Sequence, residues 1–88
     1  MNYTYPIDDT WTTEEVVDVI AFYTLVEKAY EKKVDRQSIL DAYRTFKNIV
    51  PSKSEEKQHF KVFEQASGYS SYHVVKKARE ATNDMIQM

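Results

Sequence analysis

The sequence predicts an all-α fold: a compact four-helix domain with a non-helical aromatic N-terminal arm packed on it. Apolar residues recur at helical spacing through four segments, and no segment alternates with the two-residue period of a strand. Each segment begins at a residue that can cap a helix. The only glycine in 88 residues, Gly68, stands between the last two segments, so hairpin turns are not expected. The length corresponds to a single domain.

Residues 1–11 are expected to form an extended arm. Pro6 removes a backbone N–H and disfavours helical geometry at Tyr5. Four large apolar side chains, which a free tail would leave in water, lie in the arm: Tyr3, Tyr5, Ile7 and Trp11. We therefore expect the rings to lie over the helices, where aromatic side chains bury much area.

Helix one is predicted over residues 13–32 and is expected to form the centre of the domain. Thr12 and Glu15 have the spacing of a capping box. The apolar surface is wider than one stripe, which predicts more than one neighbour. It comprises Val16, Val17, Val19, Ile20, Phe22, Tyr23, Leu25, Val26 and Tyr30. Glu27 lies on this surface, either as a rim carboxylate bonded to a tyrosine or a base, or as a buried functional acid.

Helices two and three are predicted over residues 36–50 and 53–67. Asp35 can cap helix two, and Pro51 ends it. Ser52 and Glu55 have the spacing of a second capping box. Gly68 fits the left-handed residue that closes helix three. The buried face of helix three is predicted to comprise Phe60, Phe63 and Ala66, with Val62 at its edge.

Helix four is predicted over residues 71–85, with Ser70 as its cap. Tyr72 lies off the inward face, near Lys76 and Arg79. The inward face is predicted to comprise Val74, Val75, Ala78, Ala81, Thr82 and Met85. The last residues, through Met88, are expected to fray.

Composition excludes several classes of protein. The chain has no cysteine, which excludes disulfides, thiolate zinc sites and cysteine nucleophiles. No apolar run approaches the roughly 20 residues that cross a bilayer, and no signal-peptide pattern is present. The net charge of −2 gives no general attraction to nucleic acid or to anionic lipid. We expect a soluble cytoplasmic protein that does not act at a membrane.

Catalytic and metal chemistry find little support in the sequence. Glu56 and His59 have the Glu-x-x-His spacing of di-iron bundles, but such sites need a second motif and two further carboxylates. Ser67, Ser70 and His73 are close together, yet helix-end and turn roles account for the serines. We therefore expect no enzyme, no metal and no cofactor.

Nucleic-acid binding is the alternative function that the sequence leaves open. Helices three and four have helix-turn-helix proportions, and Val74 stands where that motif needs an apolar residue. Glu64 and Lys77 depart from the motif, since a small and an apolar residue are usual there. Recognition would fall to Ser71, Tyr72, His73, Lys76 and Lys77. The diluted basic charge makes nucleic acid the less favoured partner.

Protein interaction is the function that the composition favours. Seven tyrosines and one tryptophan are many for a small core, and tyrosine is enriched at interfaces. The candidate interaction surface comprises Tyr72, Lys76, Arg79, Tyr69 and His73. The expectation is a regulatory or interaction module with an unidentified protein partner, and a homodimer is a further option.

Three blocks of sequence carry a family resemblance. They are the arm from Tyr3 to Glu15, the segment from Phe46 to Lys53, and the turn from Ser67 to Tyr72 with the helix start that follows. Together they resemble the YktA-like family of small uncharacterised bacterial cytoplasmic proteins. The resemblance implies a small α-helical protein without an assigned activity, cofactor or catalytic residue. Lys33 departs from the family, in which glycine often follows the first long helix, so a different turn is expected there.

Overall fold

The computed structural model describes residues 4–88, so the predicted packing of Tyr3 lies outside the described residues. The elements are α1 (Thr13–Glu31), β1 (Val34–Asp35), α2 (Arg36–Ile49), α3 (Lys53–Ser67), α4 (Ser71–Glu80) and β2 (Met85–Ile86). The predicted all-α class is confirmed, since the only sheet in this part of the chain is a pair of two-residue strands. The Cα radius of gyration is 12.2 Å, and about 12 Å is expected for a compact chain of this length.

Side-chain caps begin all four helices. At α1 the capping box forms fully: Thr12 Oγ1 accepts from the Glu15 N–H at 3.1 Å, and Glu15 Oε1 accepts from the Thr12 N–H at 2.8 Å. Asp35 caps α2 by accepting from the Ser38 N–H, and Ser70 caps α4 by accepting from the His73 N–H. At α3, Ser52 accepts from the Glu55 N–H, but no return bond from the Glu55 side chain is present among residues 4–88.

Helix α1 is the centre of the hydrophobic core. Its fully buried residues are Val19, Phe22, Tyr23, Val26 and Ala29. Phe22 stacks on Phe46 of α2 at 5.1 Å between ring centroids, and Tyr23 stacks on Phe63 of α3 at 4.4 Å. The apolar surface is narrower than predicted, because Val17 is 59% exposed.

The arm packs on the helices through Tyr5. The Tyr5 ring lies 6.0 Å from the rings of both Tyr23 and Phe63. Trp11, at the end of the arm, lies 5.4 Å from the His59 ring of α3. The arm therefore joins α1 to α3 from outside the core.

Gly68 closes α3 in the left-handed conformation, with φ at +83°. The predicted inward position of Ala66 is wrong, because Ala66 is exposed in the last turn of α3. The turn after α1 needs no left-handed residue: Lys32, the residue that follows α1, has φ at −144°, and no residue other than glycine between 4 and 88 has a positive φ. Lys33 is therefore accommodated without backbone strain.

The predicted extension of helix four to residue 85 is wrong, because α4 ends at Glu80 and Ala81 is already extended, with ψ at 146°. Thr82 and Met85 are exposed rather than inward, and Ile86 is buried instead. Thr82, Asn83 and Asp84 follow the last turn, and residues of these types favour turns over helix interiors.

The predicted fraying of the C-terminal residues is also wrong. Strand β2 pairs antiparallel with β1, with Val34 opposite Ile86. The Met88 N–H then donates to the carbonyl of Ala29 at 2.8 Å. Alternation along β2 turns Met85 outward and Ile86 into the core. None of the helices described between residues 4 and 88 could span a membrane.

Candidate interaction groove

A groove of about 700 Å³ runs between α3 and α4, with one side chain contributed by α2. We call it the α3–α4 groove. Its aromatic and apolar members are Tyr43, Phe60, Tyr72 and Val75. Its charged members are Lys53, Glu56, Lys57, Lys61, Glu64, Lys76, Arg79 and Glu80. Five cations thus face three carboxylates in a chain whose net charge is −2.

Helical periodicity produces both walls. On α3, Lys53, Lys57 and Lys61 recur every four residues, so they form a row with about 6 Å between successive turns. On α4, Tyr72 and Lys76 have the same four-residue spacing. Phe60 and Val75 occupy core-facing positions between the two rows, and these buried side chains form the floor of the groove.

Glu56 is a buried carboxylate, with 8% of its surface exposed. Its Oε2 accepts from the Tyr43 hydroxyl at 2.7 Å, and its Oε1 accepts from Lys47 Nζ at 2.6 Å. Burial and the bond to Glu56 raise the pKa of Tyr43 to about 12. The Arg79 guanidinium lies 5.2 Å from the Tyr43 ring centroid, which is a cation–π distance. These contacts hold the Tyr43 side chain, which α2 contributes to the groove, in place.

Sequence reasoning missed the role of Glu56, which it treated only as half of a metal motif. The signal was present, because Glu56 has the helical phase of Phe60 and Phe63 and so lies on the apolar stripe of α3. Its motif partner His59 packs against Trp11 instead. No group of three or more His, Cys, Asp or Glu side chains within residues 4–88 could hold a metal ion.

Three of the five predicted surface residues share the groove: Tyr72, Lys76 and Arg79. Tyr72 is 58% exposed there. Tyr69 lies elsewhere: its ring stacks on Tyr30 at 4.7 Å, and its hydroxyl donates to Glu31 at 2.7 Å. That hydrogen bond raises the pKa of Tyr69. Tyr69 therefore joins the turn to α1.

His73 has a local role beside the cap of α4. Its Nδ1 lies 2.7 Å from Ser70 Oγ, and its backbone N–H donates to the same oxygen at 3.2 Å. Ser70 is only 7% exposed. The Ser70–His73 pair therefore serves the helix cap.

The five residues assigned to nucleic-acid recognition do not form one exposed surface. Ser71 is fully buried and cannot reach a base edge. Lys77 Nζ donates to the Gln87 carbonyl at 2.6 Å. Tyr72 and Lys76 face the groove, whereas His73 is held beside Ser70. Burial thus removes Ser71 from the set that a recognition helix would need, whereas His73, Lys76 and Lys77 line one common depression beside α4.

Glu27 takes the rim position among its predicted alternatives. It is half-buried, and its Oε1 accepts from the Tyr5 hydroxyl at 2.8 Å. Burial raises its pKa, and the neighbouring charge of Glu31 adds to the increase. Glu27 therefore anchors the arm to α1 through a hydrogen bond.

Comparison with known proteins gives one consistent result. The profile of the Uncharacterised protein family (UPF0223) matches residues 2–87. A UPF0223 protein of Oceanobacillus iheyensis is 65% identical over 88 residues, and UPF0223 protein YktA of Bacillus subtilis is 56% identical over 88 residues, in both cases over 100% of each chain. A UPF0223 protein of Streptococcus thermophilus is 53% identical over 78 residues, which are 89% of this chain and 84% of the relative. The predicted resemblance to YktA and its relatives is thereby confirmed, and the chain belongs to the uncharacterised bacterial protein family UPF0223.

Proposed function

We propose that this protein is a non-enzymatic interaction module of the bacterial cytoplasm, which binds a segment of a partner protein in the α3–α4 groove. The observation that carries the proposal is Tyr72, a large aromatic side chain left 58% exposed on the wall of a groove of about 700 Å³. Exposed aromatic residues beside a concave surface are typical of protein-binding sites.

The surroundings of Tyr72 support the proposal. Phe60 and Val75 line the groove at its buried side, at 8% and 4% exposure. A partner side chain that enters the groove would therefore bury apolar surface against a floor that the core already holds in place. The Glu56 cluster fixes Tyr43 at the same groove.

Nucleic-acid binding through helices three and four is the second candidate. The basic row on α3 favours it, because lysines can neutralise phosphates. Three glutamates in the groove and the burial of Ser71 weigh against it.

Site-specific photo-crosslinking in intact cells of the bacterium that produces this protein tests the proposed function. A benzophenone amino acid replaces Tyr72 in one variant and Val17 in the other. Val17 is a matched control, since it is 59% exposed and does not line the groove. We expect a discrete polypeptide adduct from position 72 that position 17 does not give. Absence of a polypeptide adduct at position 72, or the same adducts from both positions, would refute the proposal.

A further inference from the structure

The cations of the α3–α4 groove have no carboxylate partners of their own. Among residues 4–88, ion pairs within 4.0 Å are Arg44–Asp41 and Lys47–Glu56. The groove's five cations are therefore outside any ion pair in this part of the chain. Of the three groove carboxylates, Glu56 is already neutralised by Lys47. The local excess of positive charge is opposite in sign to the chain's net charge of −2.

The groove offers an apolar contact as well. The Tyr72 ring is 58% exposed beside Phe60 and Val75, which are 8% and 4% exposed, and a phosphate backbone or a free anion would leave that ring uncovered. Glu64 and Glu80 also line the groove, and they would repel a continuous polyanion. The complementary ligand must therefore combine separated negative charges with large apolar side chains.

A helix with one acidic and one apolar edge meets both requirements. The lysine row on α3 repeats every four residues, which is about 6 Å along the axis. Carboxylates at positions i, i+4 and i+8 of a partner helix repeat at the same distance. Amphipathic helices commonly bind by laying their apolar side into a groove between helices.

We infer that the occupant of the α3–α4 groove is an acidic amphipathic helix of another protein. This inference rests on the proposed function and names the chemistry of the partner. The apolar edge contacts Phe60, Val75 and Tyr72, and the acidic edge faces the lysine row.

Fluorescence anisotropy with designed peptides tests the inference. The first probe is a helical peptide with glutamate at every fourth position beside a leucine stripe. The second carries lysine in place of every glutamate, and the third probe is a single-stranded DNA oligonucleotide. We expect the glutamate peptide to bind tightest, with an affinity that falls from about 50 mM to about 200 mM salt, as screening requires. Equal or tighter binding of the lysine peptide or of the DNA would overturn the inference.

Charge reversal on the protein provides a second test of the inference. The double variant Lys57→Glu/Lys61→Glu reverses two groove charges, and Lys32→Glu/Lys33→Glu makes the same net change at exposed lysines outside the groove. The groove variant should bind the glutamate peptide about tenfold more weakly and should gain affinity for the lysine peptide. The control variant should change either affinity less than about twofold. Circular dichroism establishes that both variants remain helical, and equal losses in both would contradict the inference.

The same charge reversal within the crosslinking experiment separates the two proposals. No polypeptide adduct at position 72 of the otherwise unaltered chain would refute the proposed function, and the inference with it. An adduct that persists undiminished in Lys57→Glu/Lys61→Glu would leave the proposed function standing and overturn the acidic partner. An adduct composed of two copies of this chain would identify self-association and would also overturn the inference. Loss of the adduct in the groove variant alone supports it.

Discussion

At the scale of single residues, two positions decide how the groove is built. Gly68 has φ at +83°, and a Cβ there would meet nothing within 4 Å. Glycine is therefore needed for its backbone conformation and not for space. At Glu56 the side chain matters rather than the backbone conformation, because its carboxylate accepts hydrogen bonds from Tyr43 and Lys47. A carboxylate at 8% exposure is tolerated only while both partners satisfy it.

Lys47→Met tests the dependence of the fold on that pair. The substitution leaves the buried Glu56 carboxylate without its cation, which should lower the free energy of unfolding by about 1–3 kcal/mol in urea titrations. Arg44→Met on the same helix is the matched control. It removes the exposed pair with Asp41 at 4.0 Å and should cost less than about 0.5 kcal/mol.

A double-mutant cycle completes this prediction. In Lys47→Met/Glu56→Gln the unpaired carboxylate charge of Glu56 is removed as well. The double variant should therefore lose less free energy of unfolding than the two single variants lose in sum. Strict additivity, or an effect of Lys47→Met no larger than that of Arg44→Met, would show that the Lys47–Glu56 contact does not stabilise the fold.

At the scale of elements, the local signals in the sequence predict helix starts better than helix ends. Thr12, Asp35, Ser52 and Ser70 all cap as their side chains indicate, because an N-cap is a contact between neighbours in sequence. The end of α4 depends on a distant strand. The Arg36 N–H donates to the carbonyl of Asp84 at 2.8 Å, a contact that joins the start of α2 to the C-terminal turn.

The apolar period of helix four explains why its length was overestimated. Val74, Val75, Ala78 and Ala81 continue in phase to Met85, so the pattern alone favours a longer helix. The two-residue strand β2 is too short for alternation to be recognised from sequence. Its pairing with β1 is a long-range contact, and local propensity carries no information about it.

Ile86→Ala tests whether β2 is part of the core. Ile86 is 1% exposed, so truncation should lower the free energy of unfolding by about 2–4 kcal/mol through lost burial and a cavity. Met85→Ala, one residue away and 48% exposed, should change it by less than about 0.5 kcal/mol. Both values come from equilibrium denaturation. Similar small effects at the two positions would mean that the C-terminal segment detaches without cost to the core.

At the scale of the whole molecule, both the arm and the C-terminal segment of the described residues are held against α1. Tyr5 bonds to Glu27, and the Met88 N–H bonds to Ala29, two residues further along the same helix. Phe60 stacks on Phe22 of α1 at 5.8 Å between ring centroids and also lines the groove, so it connects the core to the floor of the groove. Residue spacing alone predicted that Tyr72, Lys76 and Arg79 share a surface. It could not predict the opposite wall, because the approach of α3 to α4 and the entry of Tyr43 depend on tertiary packing.

The pH dependence of stability tests the attachment of the arm. Burial raises the pKa of Glu27 in the folded protein, whereas an unfolded chain leaves it near the ordinary value of 4.5. The folded state therefore binds this proton more tightly, and acidification adds stability through Glu27 until the pH falls below the unfolded value. Glu27→Gln removes this titration, so the stability of the wild type relative to the variant should rise as the pH falls from about 7 towards the unfolded value of 4.5 in paired urea titrations. Tyr5→Phe retains the carboxyl, loses the hydroxyl that favours its charged form, and should keep or enlarge the pH dependence. A flat relative stability would mean that Glu27 has the same pKa in the folded and unfolded chains, and one that falls on acidification would mean that its pKa is lowered in the folded protein; either result would contradict the prediction.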